Sequence, residues 1–169
     1  MDLLNFFLHG YVHSTDKNLA IERFDKATFT DCSTLKDDVD VQRADPGYAP
    51  ALNELHKYMG ETYIAQLFDE YTLTQCAMWS GVDSGSSVWH NDNKQGSRFT
   101  SNLLVYLDDN KPEDGNFIQV RGAGFEHTLY PKRGDFVWLN QKECFEHRAQ
   151  NDNGIRRVLS FEFYIPALL

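Results

Sequence analysis

The chain has 169 residues, of which 41% are apolar and 14% aromatic, so it has the material for one domain with a real core and is not of disordered composition. A formal net charge of −9 repels phosphate backbones and argues against nucleic-acid partners. No apolar stretch approaches the roughly 20 residues needed to cross a bilayer, so no membrane partner is expected. Met1 to His9 holds a short apolar run with Asp2 and no basic flank, which does not read as a secretory signal. Cys32, Cys76 and Cys144 are widely spaced with no Cys-x-x-Cys, and reduced thiols in a cytoplasmic protein are the simplest expectation. Oligomeric state is not legible in the sequence.

Residues 1 to about 48 predict irregular structure, with a charge-rich stretch at Lys36-Asp37-Asp38-Val39-Asp40. Residues 50–70 predict a helix. Pro50 suits a first turn, and Leu52, Leu55, Met59, Tyr63 and Leu67 recur every three to four residues on one face. Gly60 divides this segment, at about 1 kcal/mol relative to Ala. From Thr72 the period becomes that of strands, at 72–79, 86–92, 99–107, 116–121, 126–130, 135–139, 144–149 and 156–164. Turn clusters separate them, among them Asp83-Ser84-Gly85, Gly122-Ala123-Gly124 and Asn151-Asp152-Asn153-Gly154. The expectation is one domain, 1–169: helical and irregular support over 1–71, and a mainly β core over 72–166 built as a sandwich or jelly roll (α+β).

Within that core, Val88-Trp89-His90-Asn91-Asp92-Asn93 places one residue between a histidine and an aspartate. On a strand both side chains then face the same side and reach one ion. His147, in Cys144-Phe145-Glu146-His147-Arg148, completes a two-histidine, one-carboxylate set if the fold brings distant strands together. Such a set suits Fe(II) and leaves coordination positions open. His-x-Asp alone is a weak pattern, and a surface pair beside an ordinary half-buried histidine is the alternative. His9, His13, His56 and His127 lack a partner pattern and read as ordinary histidines. By alternation Trp89 faces away from His90 and is expected in core packing, and Arg98 is expected to be solvated.

Further motifs follow in order: Leu103-Leu104-Val105-Tyr106-Leu107-Asp108-Asp109, Asp114-Gly115-Asn116-Phe117, Pro131-Lys132-Arg133-Gly134-Asp135-Phe136-Val137-Trp138, His147, and Arg156-Arg157. With His90-Asn91-Asp92 this ordered set resembles the Fe(II)- and 2-oxoglutarate-dependent dioxygenases, in their prolyl-4-hydroxylase-like branch. The resemblance covers about residues 74–165. The chain departs from the branch where Gly115-Asn116 replaces paired glycines and where a loop, Arg121 to His127, precedes the Pro-Lys segment.

The resemblance implies a double-stranded β-helix (jelly roll, cupin-like) with N-terminal helices against one sheet. It implies Fe(II) on His90, Asp92 and His147 as the catalytic centre, with 2-oxoglutarate and O2, and ascorbate as a further candidate. The far carboxylate of 2-oxoglutarate needs a buried cation, for which Arg156 and Arg157 are both spaced plausibly after His147. Adjacent strand residues face opposite sides, so only one can enter the barrel. Arg156 shares its face with Val158, Ser160 and Glu162, and Arg157 shares its own with Leu159, Phe161 and Phe163, which favours Arg156. Tyr106 and Ser160 resemble residues that line the same pocket. The implied reaction is hydroxylation of a C–H bond, since related halogenases lack the carboxylate that Asp92 supplies. The expected substrate is a prolyl or other residue in a protein or peptide. A free amino acid or small metabolite is the alternative, as is a non-catalytic cupin-like metal-binding module.

Overall fold

The computed structural model describes residues 3–27, 46–80, 87–93, 100–150 and 156–168. Among them run α1 (Leu3–Leu8), β1 (Tyr11–Thr15), α2 (Ala49–Met59), β2 (Thr72–Ser80), β3 (Ser101–Tyr106), β4 (Phe117–Gly122), β5 (Phe125–Leu129), β6 (Asp135–Asn140), β7 (Glu146–Gln150) and β8 (Arg157–Tyr164). All strand pairs are antiparallel. One sheet has the order β1-β6-β3-β8-β2 and the other β5-β4-β7. No helix among these residues is long and apolar enough to cross a membrane.

Strand alternation sorts the large sheet into two buried faces. Leu103, Val105, Phe136, Trp138, Leu159, Phe161 and Phe163 pack with Phe6, Leu52, Leu55, Met59 and Ile64 on the helical side. Leu104, Tyr106, Val137, Leu139 and Val158 point the other way and meet Ile118 and Val120 of the small sheet. Because both faces are covered, β3 and β6 are buried at every position. Each fully buried large side chain contributes roughly 1.5–3 kcal/mol, so this layered core carries most of the stability. The face turned toward the small sheet is the inner face of the barrel.

The helix predicted from Pro50 is α2, with Pro50 in its first turn and Leu52, Leu55 and Met59 buried. At Gly60 the helix widens into a looser turn over Gly60–Ile64. A Cβ at Gly60 would lie 2.8 Å from the Tyr71 ring, so close packing keeps glycine there. Tyr58 and Tyr63 donate their hydroxyls to Asp16 at 2.9 and 2.6 Å, which ties this helical segment to the turn after β1.

Three expectations are corrected. The N-terminal region is not irregular throughout: α1 packs Phe6 against Trp138, and β1 pairs with the edge of β6. Its five residues are too few to show a clear alternation. No strand runs through the described part of 86–92, where only His90 forms a bridge, to His147. The segment Arg121 to His127 is no loop but the tight β4–β5 hairpin, turning at Ala123-Gly124 with Gly124 at φ +84°. Cys76 is a buried free thiol and Cys144 an exposed one, whereas Cys32, Arg98 and the 36–40 charge run lie outside the described residues.

Candidate metal centre

His90 and His147, far apart in sequence, are joined by their own backbones. His90 N–H donates to His147 O at 3.0 Å, and His147 N–H donates to His90 O at 2.8 Å. A pair that exchanges both bonds directs its two side chains to one face of the ladder. The imidazole centroids are 4.3 Å apart. The Asp92 carboxylate reaches both rings: Oδ1 is 3.3 Å from His90 Nε2 and Oδ2 is 3.3 Å from His147 Nε2. One donor atom from each of the three residues lies within 4.8 Å of the others, which could hold a metal ion.

Neighbouring groups aim these donors. His90 Nδ1 lies 2.8 Å from the Val88 carbonyl, so Nδ1 carries a proton and Nε2 is the ring nitrogen turned to the Asp92 carboxylate. Gln141 grips Asp92 twice, accepting its backbone N–H at 3.1 Å and donating to Oδ2 at 3.1 Å. Asn102 Nδ2 approaches the same Oδ2 at 3.5 Å, and Ser160 Oγ donates to Asn102 Oδ1 at 2.9 Å. Asn91 donates to the carbonyls of Lys142 and Phe145, anchoring the His90–Asp92 segment to the turn before β7. Burial opposes ionisation of Asp92, but the charge of His147 and the bond and charge of His90 outweigh it and hold the carboxyl at about 2. Burial lowers the His147 imidazole to about 4, with His90 and Arg156 adding to the effect against Asp92. At neutral pH the set is therefore a carboxylate with neutral His147, as metal binding requires.

Arg156 and Arg157 part company as strand geometry demands. Arg156 is 7% exposed, and its guanidinium carbon lies 5.8 Å from the centre of the Tyr106 ring. Both its Nε and the Tyr106 hydroxyl are buried without a hydrogen-bond partner among the described residues. Tyr106 is wholly buried on the inner face, where burial raises its phenol and the Arg156 charge offsets part of that rise. Two unpartnered donors side by side mark a site shaped for an acceptor, since buried polar groups are ordinarily satisfied; the other unpartnered buried side-chain atoms among the described residues lie on Asn110 and Asn116. Arg157, the other pocket candidate, turns to the opposite face and forks onto Asp108, with Nε to Oδ2 at 2.9 Å and Nη2 to Oδ1 at 2.7 Å. The Ser160 hydroxyl is committed to Asn102, so it supports the Asp92 side rather than the Arg156 end.

Trp89 faces away from His90 as expected, but not into the core. It is half-buried on the outer face of the small sheet, bracketed by Arg121 at 4.4 Å and Arg148 at 4.8 Å from its ring centre. Glu146 holds Arg121 at 2.6 Å, and Gln119 accepts from Arg148 at 2.6 Å. The remaining histidines have structural partners: His9 with Asn5, His13 with Asp135, His56 with the Glu162 carbonyl and His127 with Tyr11. Sequence reasoning missed Gln141, Asn102 and Asn91. Asn102 was findable, because it shares the inward parity of Leu104 and Tyr106 on β3, whereas Gln141 and Asn91 act through loop geometry that leaves no pattern.

No protein-family model matches the chain, and no curated protein matches its sequence. Solved structures do match its shape. A prolyl hydroxylase from Trichoplax adhaerens, in complex with a hypoxia-inducible-factor degradation-domain peptide, superposes with a TM-score of 0.69 at 12% identity, covering 99% of this chain and 89% of that one. Iron-bound HygX from Streptomyces hygroscopicus gives 0.66 at 16% identity, over 97% and 85%. A Pseudomonas putida prolyl-4-hydroxylase gives 0.58 at 17% identity, over 96% of both chains. The chain shares the fold of these structures. The jelly-roll expectation is thereby met, with two antiparallel sheets and helices against the larger one.

Proposed function

We propose that this protein is an Fe(II)- and 2-oxoglutarate-dependent hydroxylase. The observation that carries the reading is a pair of features on one inner face: three metal-ligating side chains within 4.8 Å, and a buried arginine with an orphaned Nε beside an orphaned tyrosine hydroxyl. The donors fit the group. Two imidazoles and one carboxylate suit Fe(II), and a guanidinium with a phenol suits the far carboxylate of 2-oxoglutarate. Iron, 2-oxoglutarate and O2 would supply oxidation of a C–H bond to C–OH, with 2-oxoglutarate leaving as succinate and CO2.

The chain's own residues do the positioning. His90, Asp92 and His147 would hold the metal through three positions, and Gln141 and Asn102 keep the carboxylate from rotating. Arg156 and Tyr106 would bind the cosubstrate's distal carboxylate in a buried pocket, where a charge-assisted bond is strong. His90 and Asp92 remain 28% and 26% exposed, which leaves the metal side open to a substrate. Asp92 occupies a ligand position and so favours hydroxylation over halide transfer. The peptide bound to the Trichoplax neighbour supports a prolyl or other residue in a protein or peptide as substrate.

The first test needs no substrate, because enzymes of this type turn over 2-oxoglutarate slowly when uncoupled. Purified protein with Fe(II), O2 and 2-oxoglutarate is expected to release succinate above a His147→Ala control, and anaerobic titration should show that the variant has lost most iron affinity. Unaltered iron affinity in His147→Ala would overturn the site. Bound iron with no succinate would favour a metal-binding module without catalysis.

A further inference from the structure

The inner row of β8 continues beyond the cosubstrate pocket. Arg156, Val158, Ser160 and Glu162 share one face, with Arg156 just before the strand and Glu162 near its far end. Six residues at about 3.3 Å each set these two roughly 20 Å apart. The candidate metal centre falls between them, since Ser160 bonds Asn102 and Asn102 reaches Asp92. Asn102 also stands directly opposite Glu162 in the β3–β8 register. A cosubstrate running from Arg156 to the metal therefore leaves Glu162 on the remaining side, where a substrate has to approach.

Glu162 differs from the half-buried acids Asp108 and Glu146. Asp108 is held by Arg157 and Glu146 by Arg121, whereas the Glu162 carboxylate has no hydrogen-bond or ion-pair partner among the described residues. Its backbone is nevertheless fixed: His56 Nε2 donates to its carbonyl at 2.9 Å, beside a bulge in β2 between Leu73 and Cys76. Bulges are common beside functional sites, where they re-aim a side chain. A partly buried carboxylate facing the Asp92 charge is unfavourable, and nothing described in the fold compensates it.

Resting on the oxygenase reading, we propose that Glu162 is the substrate-recognition residue and selects a substrate bearing an ammonium or guanidinium group. That cation comes either from a lysine or arginine side chain near the oxidised residue of a peptide or from the amino group of a free amino acid. Arg156 would serve the anionic cosubstrate, so the substrate end presents a carboxylate without a counter-charge among the described residues. A cation there completes a charge-assisted bond, and an anion meets like charge.

Direct binding tests this without turnover. Iron- and 2-oxoglutarate-loaded protein is titrated anaerobically by calorimetry with capped proline peptides carrying lysine, glutamine or glutamate beside the proline. A second series uses L-lysine and its acetylated, uncharged counterparts. In one series the cationic member is expected to bind at least about tenfold more tightly than the neutral one, and that series identifies the source. Glu162→Gln should bring the ratio near one, Glu162→Asp should retain a preference, and Glu162→Lys should turn it toward the glutamate peptide. Equal binding of charged and neutral probes, no binding of any cationic probe, or a preference that survives Glu162→Gln overturns the proposal. Failure of the wild-type protein to bind iron or release succinate overturns the oxygenase reading itself, so the two failures are distinguishable.

Discussion

Replacing Arg156 by Ala is expected to weaken 2-oxoglutarate binding at least about a hundredfold, because it strands a buried carboxylate at a penalty of roughly 3–5 kcal/mol. Calorimetry on the iron-loaded protein checks this. Arg157→Ala should leave that affinity near wild type and instead lower stability by about 1 kcal/mol, since its fork onto Asp108 is partly exposed and screened. The reverse result would mean that the inward face of β8 is the other one. His56 offers a separate test at the same scale. It is 4% exposed, and burial lowers its imidazole to about 4, against a smaller upward pull from the Glu162 carbonyl. The unfolded chain, with an ordinary histidine, binds the proton first as pH falls. Stability contributed by neutral His56 is thus fully present above about pH 6.5 and is lost progressively toward about pH 4, by on the order of 3 kcal/mol at most. Urea unfolding across this window should show a smaller loss in His56→Gln, which keeps a donor for the carbonyl but does not titrate.

Among the described residues, the segment that carries His90 and Asp92 is the least supported by a ladder, having a single bridge to β7. Trp89 between Arg121 and Arg148 supplies the missing hold from the outer face. Two cation–π contacts at about 0.5–1 kcal/mol each predict that Trp89→Ala reduces iron affinity roughly tenfold without abolishing it. Anaerobic iron titration measures this, and an unchanged affinity would show that the bridge and Asn91 suffice. The Pro131–Trp138 motif was legible, yet its role is structural. Gly134 turns at φ +85°, and Asp135 accepts from the Lys132 backbone, Thr15 and His13, which closes the turn and ties β1 to β6. β1 itself left little trace, because an edge strand of five residues with one side committed to β6 needs few apolar positions.

For the molecule as a whole, a net charge of −9 leads to the expectation of no measurable binding to random duplex or single-stranded nucleic acid at physiological salt, checked by fluorescence polarisation. Salt-sensitive micromolar binding would overturn it. What the sequence determined by itself was whatever depends on local period. The strand positions from Thr72 onward, apart from 86–92, and the opposite faces of Arg156 and Arg157 follow from a repeat of two along an extended chain, whereas His90 and Asp92 come to one side without a strand through them. The apolar stripe of α2 follows in the same way from a repeat of 3.6. Tertiary structure decided what depends on meeting across the chain. It joined His90 to His147 by a backbone bridge and brought Gln141 and Asn102 onto Asp92. It also placed Trp89 between two arginines and left the Glu162 carboxylate, on the inner face, without a partner among the described residues. Such contacts are set by sheet closure and loop paths, and a polar side chain recruited through a loop imposes no periodicity on its neighbours in sequence.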